Sequence, residues 1–330
     1  MSTRKWLFVA GCCLSGTLLA AILWRLDWPV FVSEFRRVQY PWLAVTVLFI
    51  VLGIGLRSLR WNIAAGIPLR AFPSFWSAAV IGLALNHVYP LRAGEIVRIF
   101  VLRQIAAVPL GQAATSALID RLSDALLLGV CAVAVVATHT GVPYAEKLAT
   151  GTLVLACGML AALIVLAKGD HIWRSWVTHW SERVSAGMQA RIQRFYAGII
   201  ETAALIASPL QFTRIVVIAA AAFASDFAVV FSAIKAFGWE LPPIAPITVL
   251  VFLAVGTSLP AAPGYAGVFQ IACVLALALF GISEAPAVAY SIVLQICLLA
   301  TIVPLAALAA SSHRDELRSV RSSLAKSGQA

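Results

Sequence analysis

The densest run of polar and ionisable residues is Asn86-His87-Val88-Tyr89-Pro90-Leu91-Arg92-Ala93-Gly94-Glu95-Ile96-Val97-Arg98. Arg92, Glu95 and Arg98 recur every third residue, so a helix starting after Pro90 carries them near one face, with Glu95 in reach of either arginine. Gly94 leaves that face open to a close neighbour. Two guanidinium forks around one carboxylate are the chemistry of bidentate phosphate binding. The same trio would serve equally well as an ion-pair ladder that locks the helix. A second cluster, Asp120-Arg121-Leu122-Ser123-Asp124, lies inside an apolar run. Its two acids share a helical face, and Arg121 reaches Asp124 at i, i+3. Such a cluster is expensive among apolar neighbours unless it lines a cavity or meets partners on other helices, for which Arg92 and Arg98 are the candidates. One of its acids could carry a proton, or the group could be a structural salt bridge. Asp226 is a third acid in an apolar run, and Lys235 further along can snorkel to an interface.

A third stretch, Leu259-Pro260-Ala261-Ala262-Pro263-Gly264-Tyr265-Ala266-Gly267-Val268-Phe269-Gln270, holds no charge. Pro260 and Pro263 lack donors, and Gly264 and Gly267 admit positive φ, so the backbone there cannot stay helical.

The elements that position these residues are set by composition. The chain has 330 residues, 62% of them hydrophobic and only 12% charged, with a mean hydropathy of +0.94. An ordinary water-soluble enzyme is excluded, and an all-α integral membrane protein is predicted. The net charge of +10 reads as loop orientation and attraction to anionic headgroups, not as nucleic-acid binding. Cys12, Cys13, Cys131, Cys157, Cys273 and Cys297 sit in apolar runs without metal-ligand spacing, and the histidines are too scattered for a metal site, so neither metal nor cofactor is expected.

Apolar segments fall at about 6–24, 41–56, 72–90, 112–138, 150–167, 212–235, 247–280 and 287–310. The first begins after Arg4 and Lys5 and is too long for a signal peptide, so it reads as a retained helix. Basic residues fix the orientation. With a cytoplasmic N-terminus, Arg57, Arg60 and Arg70, then Arg92, Arg98 and Arg103, the connector, and the tail all fall on the cytoplasmic side. Both termini are then cytoplasmic. That parity requires two segments that do not cross: 72–103, broken at Pro90 and entering from the cytoplasm, and 247–281, broken at Pro260–Gly267 and entering from outside. The expectation is therefore about six transmembrane helices plus two re-entrant broken pairs. The order span, broken pair, span occurs once in each half with opposite sense, the pattern of an inverted-repeat transporter, although the halves are weakly similar in sequence. A transmembrane domain over 1–311 would include an interfacial connector at 168–211. There Trp173, Trp176, Val177 and Trp180 share one face, and Met188, Ile192, Phe195, Ile199 and Ile206 another. A basic tail occupies 312–330.

The three polar stretches, in this order, resemble the lysylphosphatidylglycerol synthase transmembrane region family of flippase-like proteins, whose pattern reads N-x3-P-x-R-x-G-E-x2-R, E-R-x2-D and P-x2-P-G-G-x-G-x2-E. The match spans nearly the whole chain. Three positions depart from it: Asp120 stands for the usual Glu, Tyr265 for the second Gly of the PGG run, and Gln270 for the final Glu, which removes an acid. The short tail leaves no room for an aminoacyl-transferase domain, so lysyl transfer is not expected. The resemblance implies a bacterial inner-membrane protein that translocates an anionic lipid or lipid-linked headgroup: a phospholipid, a hopanoid or a polyprenyl-phosphate glycolipid. Site residues under that reading are Asn86, Pro90, Arg92, Gly94, Glu95, Arg98, Asp120, Arg121, Asp124, Asp226, Pro260, Pro263, Gly264, Gly267 and Gln270, with membrane lipids as partners. Two alternatives stand beside it: a non-transporting partner of a lipid-synthesis complex, and an enzyme in which His87 and Glu95 act as acid and base on a headgroup. No sequence signature of a catalytic site supports the latter.

Overall fold

Two long apolar helices, Tyr40–Ala64 (α2) and Pro209–Ala236 (α8), form the most extensive helix pair of the molecule. In the computed structural model, the described residues are 26–89, 93–138, 170–258 and 262–317, with scattered positions between 16 and 24 and between 150 and 165. The α2–α8 contact includes small residues, among them Thr46 and Gly53 on one side and Ser225 and Ser232 on the other. In lipid, where burial of apolar area gives no net drive, such stripes let backbones approach and polar side chains bond across. Thr46 Oγ1 meets Ser232 Oγ at 2.8 Å, and Ser225 Oγ donates to the Phe49 carbonyl at 2.8 Å. The Gln39 amide donates to the Ala236 carbonyl, so the two helices run antiparallel.

Around this pair the chain lays out α1 (Trp28–Arg37), a helical hairpin of α3 (Phe72–Val88) and α4 (Ala93–Ala106), and α5 (Leu110–Thr138). It continues through α6 (Asp170–Ser181) and α7 (Ala186–Ala207) into α8. A second hairpin of α9 (Ile244–Gly256) and α10 (Val268–Ala278) and then α11 (Glu284–Ser312) complete it. Pro41, Pro73 and Pro209 open α2, α3 and α8, where a missing N–H costs nothing. No strand occurs among the described residues.

The packing maps onto itself when α2, α3–α4 and α5 are exchanged with α8, α9–α10 and α11. The contact of α2 with α3 answers that of α8 with α9, α4 with α5 answers α10 with α11, and α3 with α11 answers α9 with α5. Because the equivalent helices α2 and α8 are antiparallel, the relation is an inversion, as the order of segments predicted.

Among the described residues, five helical stretches are long and apolar enough to cross a membrane: Tyr40–Ala64, Leu69–Val88, Leu110–Thr138, Pro209–Ala236 and Glu284–Ser312. The predicted spans at 6–24 and 150–167 fall almost wholly outside the described residues, as do Cys12, Cys13 and the tail from 318. One predicted boundary is wrong. The span expected at 41–56 continues to Ala64, because Arg57 and Arg60, assigned from sequence to a cytoplasmic loop, are held inside the bundle by carboxylates of neighbouring helices. Lys235 does not simply snorkel: its Nζ lies 2.6 Å from Glu240.

In the connector, α6 and α7 pack on each other, and α7 lies along α5. A Cβ on Gly198 would come within 2.6 Å of the Gln112 amide, so this crossing needs glycine. The face α7 buries is Gly198, Ile200, Thr202 and Ala203, one step round from the stripe expected from sequence. Met188 and Phe195 of that stripe remain exposed, together with Trp176 and Trp180 of α6. The Arg183 guanidinium lies 4.1 Å over the Trp180 ring, an aromatic and basic pairing suited to headgroup depth.

Candidate functional site

Asp120 lies ten residues into α5, roughly 15 Å along the helix at about 1.5 Å per residue, and its side chain is fully buried. Three arginines from three helices converge on it. Arg60 of α2 places Nε at 2.8 Å and Nη2 at 2.6 Å from Oδ1, and Nη2 also reaches the Asp120 carbonyl at 3.1 Å and Asp124 Oδ1 at 2.7 Å. Arg98 of α4 donates from Nη1 to Oδ2 at 3.2 Å, and Arg121 Nη2 lies 3.6 Å from the same oxygen. Glu95, one turn before Arg98, lies 3.0 Å from Arg98 Nε and 3.1 Å from Arg121 Nε, while Asn86 Nδ2 donates to its other oxygen at 3.1 Å.

Trp61 organises the buried side of this network. Fully buried, it donates from Nε1 to Ser116 Oγ at 3.0 Å, takes Phe75 edge-on at 5.1 Å and carries the Arg98 guanidinium over its ring at 4.7 Å. The cation–π contact and the Asp120 bond fix Arg98 on two sides. Capacity is left over: Arg60 Nη1 and Arg98 Nη2 are buried without a hydrogen-bond partner among the described residues.

The hairpin that delivers Glu95, Arg98 and Asn86 closes at two glycines. A Cβ on Gly94 would run into the Gly82 carbonyl and Asn86, and one on Gly82 would lie 2.7 Å from the Arg98 Cβ. The sequence expectation that Gly94 admits a close neighbour is met by α3 itself.

The network has a sealed half and an open half. Arg60, Arg98 and Asp120 are buried, whereas the side chains of Glu95, Arg121 and Asp124 are 23%, 35% and 29% exposed. Arg57 of α2 and Asp226 of α8 form a further ion pair, 24% and 28% exposed. Charge at this depth of membrane-length helices is expected to face the bundle interior or a water-filled cavity and not lipid. Breaking the sealed half by removing one partner costs about 3–5 kcal/mol. Among the described residues four arginines face four acids here, so their formal charges cancel.

The second hairpin supplies no charge. Its turn runs through Pro263–Tyr265 with Gly264 at φ 74° and Gly267 at φ 82°. Gln270 Oε1 accepts the Gly267 amide at 2.7 Å, its Nε2 donates to Gln295 Oε1 at 2.7 Å, and Gln295 Nε2 donates to the Gly264 carbonyl. Gln270, read from sequence as a lost charge near an outer loop, is buried and clamps this turn. Tyr265, where the family pattern has glycine, takes φ 56°. Its ring meets His87 edge-on at 5.5 Å, so the two hairpin tips touch. His87 Nδ1 bonds the Leu83 carbonyl at 2.9 Å, and the groups bonded to Glu95 are Asn86, Arg98 and Arg121.

Of the residues singled out from sequence, Asn86, Gly94, Glu95, Arg98, Asp120, Arg121 and Asp124 come together, with Asp226 beside them through Arg57. Pro263, Gly264, Gly267 and Gln270 form the opposing turn. Pro90, Arg92 and Pro260 lie outside the described residues. Sequence reasoning missed Arg57, Arg60, Trp61 and Gln295. The signal for the first two was present: two arginines at the end of an apolar run, opposite unpaired acids in other runs. Among the described residues no group of three or more His, Cys, Asp or Glu is placed to hold a metal ion.

The family model described as the lysylphosphatidylglycerol synthase TM region matches residues 8–306. A glycosyltransferase, AglD of Haloferax volcanii, is 25% identical over 324 aligned positions, covering 88% of this chain and 52% of that protein, so the chain spans about half of that relative's length. No solved structure matches. Family, relative and fold together indicate an integral membrane protein related to lipid handling.

Proposed function

The chain belongs to the lysylphosphatidylglycerol synthase TM region family, and from that premise we propose that it translocates an anionic lipid or lipid-linked headgroup across the membrane. The observation that carries this reading is the partly open side, formed by Glu95, Arg121, Asp124, Arg57 and Asp226, of an ion-pair network deep in membrane-length helices, beside two broken hairpins whose tips meet. A headgroup crossing the hydrocarbon must exchange its water for fixed polar partners, and discontinuous helices at the interface of inverted repeats are where transporters place them. Arg92 and Arg98 would hold the phosphate, Glu95 with Asp120 and Asp124 would balance the charge, and the Pro263–Gly267 turn would act as the opposing gate. The excess of basic residues toward one side supports cytoplasmic termini and a place in a bacterial inner membrane. Its activity under this reading is transport and not catalysis.

The name of the relative, a glycosyltransferase, favours a second reading in which the chain assists synthesis of a lipid-linked glycan without moving it. Reconstitution separates the two. Vesicles carrying the purified protein are expected to move a fluorescent anionic phospholipid between leaflets, and Arg92→Ala and Glu95→Gln to slow it by about tenfold or more. A rate unchanged by both substitutions sinks the mechanism; product formed from a purified lipid favours the enzyme.

A further inference from the structure

The four arginines of the network differ in how firmly they are held. Arg60 is bound by two carboxylates and a carbonyl, and its side chain is fully buried. Arg98 has two carboxylates and an indole face, and Arg121 has three carboxylates within 3.6 Å. Arg57 bonds Asp226 through Nη2 and has no other ion-pair partner among the described residues. Both members of that pair are partly exposed, as are Asp124 and Arg121.

A guanidinium with one carboxylate partner has most of its donor fork free, and that single partner can be exchanged for another anion. A phosphate, with more acceptor oxygens than a carboxylate and the geometry for two parallel bonds, competes well for such a fork. Arg60, Arg98 and Arg121 each hold two or more carboxylates, so an exchange there would leave an acid of the network without its partner. The pair also joins α2 to α8, the equivalent helices of the two inverted halves, so a ligand that takes Arg57 loosens the link between the halves.

We propose that Arg57 is the guanidinium that receives the phosphate of a lipid headgroup, and that Asp226 occupies it only while the site is empty. The assignment rests on the translocator reading and adds a residue that the sequence motifs do not contain. It makes Arg60 the scaffold of the site and the Arg57–Asp226 pair its exchangeable part, with Arg92 and Arg98 as further partners of the phosphate.

The test uses the full-length protein in detergent and in phosphatidylcholine vesicles, with fluorescent short-chain phosphatidylglycerol as the probe. Binding is read by fluorescence, translocation by chemical quenching of the outer leaflet, and folding by thermal melting. Exchange of the two charges, Arg57→Asp with Asp226→Arg, keeps the link between halves but moves the guanidinium. It is expected to melt like the unaltered protein while binding weakens about tenfold or more. Arg57→Lys, which keeps the pair with Asp226 and loses the fork, is expected to leave melting unchanged and to weaken binding several-fold. Full binding and translocation by both variants would make the pair a structural tie and overturn the assignment. Unaltered protein that binds the probe through Arg57 without moving it would instead overturn translocation and leave the assignment standing. Excess inorganic phosphate, against a chloride control of equal ionic strength, is expected to leave the translocation rate unchanged; inhibition by it overturns the lipid source of the phosphate.

Discussion

The two helical hairpins occupy equivalent places in the inverted halves and are held by opposite means. The first, α3–α4, is tied to α2 and α5 by ionised groups, with Arg98, Glu95 and Asn86 feeding a network centred on a buried carboxylate. The second, α9–α10, is held by two neutral amides and a turn of left-handed backbone, with Gln270 and Gln295 using their side-chain groups on Gly264, Gly267 and each other. Removing one charge from the first strands others in a medium that cannot solvate them. Removing one amide from the second strands a single donor or acceptor. If the chain translocates lipid as proposed, the element that opens is expected to be the cheaper one to disrupt, which would make the second hairpin the moving part and the first the fixed part.

The largest effect separates them directly. Asp120→Ala leaves Arg60, Arg98 and Arg121 without their shared acceptor and is expected to cost about 3–5 kcal/mol. Gln295→Ala is expected to cost about 1–2 kcal/mol. Thermal or chaotrope unfolding in detergent measures both, and equal losses would erase the distinction between the hairpins.

The glycines sharpen it further. Gly94→Ala drives a methyl into the Gly82 carbonyl, an overpacking worth about 1–3 kcal/mol. Gly264 has open space around its would-be Cβ but sits at φ 74°, so Gly264→Ala pays backbone strain of about 1–2 kcal/mol. The two losses are similar in size and differ in remedy. Asparagine, which tolerates left-handed backbone, is expected to be accepted at 264 and rejected at 94.

Gln270→Glu tests the neutrality of the second hairpin. An ionised Glu still accepts the Gly267 amide but faces Gln295 Oε1 with a second acceptor; a protonated Glu donates to it and restores the clamp. Burial and this clash raise the folded-state pKa of the new acid above its unfolded value of about 4.3. Relative to the unaltered protein, the variant is therefore expected to be destabilised near neutral pH and to recover as pH falls, in melts at about pH 5 against about pH 8. A pH-independent difference would show that the clamp carries no such exchange.

What the sequence revealed depended on how far apart the partners lie. Helical content, the order of segments, the break after Val88 and the turn through Pro263–Gly267, and the Glu95–Arg98 and Arg121–Asp124 pairs are local features, readable from spacing and residue type. The Arg60–Asp120 and Arg57–Asp226 pairs join residues 60 and 169 positions apart. From sequence alone, an arginine near the end of an apolar run is read as loop charge, because its solvation cost is visible and its distant partner is not. The same blindness hid the role of Gln270, whose partner Gln295 lies in another helix and carries no charge to draw attention.

Tyr265 gives the smallest expected effect and the finest test of the comparison. At φ 56° a tyrosine costs about 1–2 kcal/mol relative to glycine, and its edge-on contact with His87 returns about 0.5–1.5 kcal/mol. The two nearly cancel, so Tyr265→Gly is expected to change the melting temperature little. Its effect should appear in rate instead. If His87 and Tyr265 hold the two tips together in the closed state, the glycine variant opens more easily, and lipid transfer in vesicles becomes faster at unchanged stability. His87→Ala, which breaks the contact but keeps the strain, is expected to lower stability slightly and to raise the rate in the same direction. Opposite rate effects from the two variants would mean that the tips touch without gating, and the moving part would have to be sought in the charged hairpin.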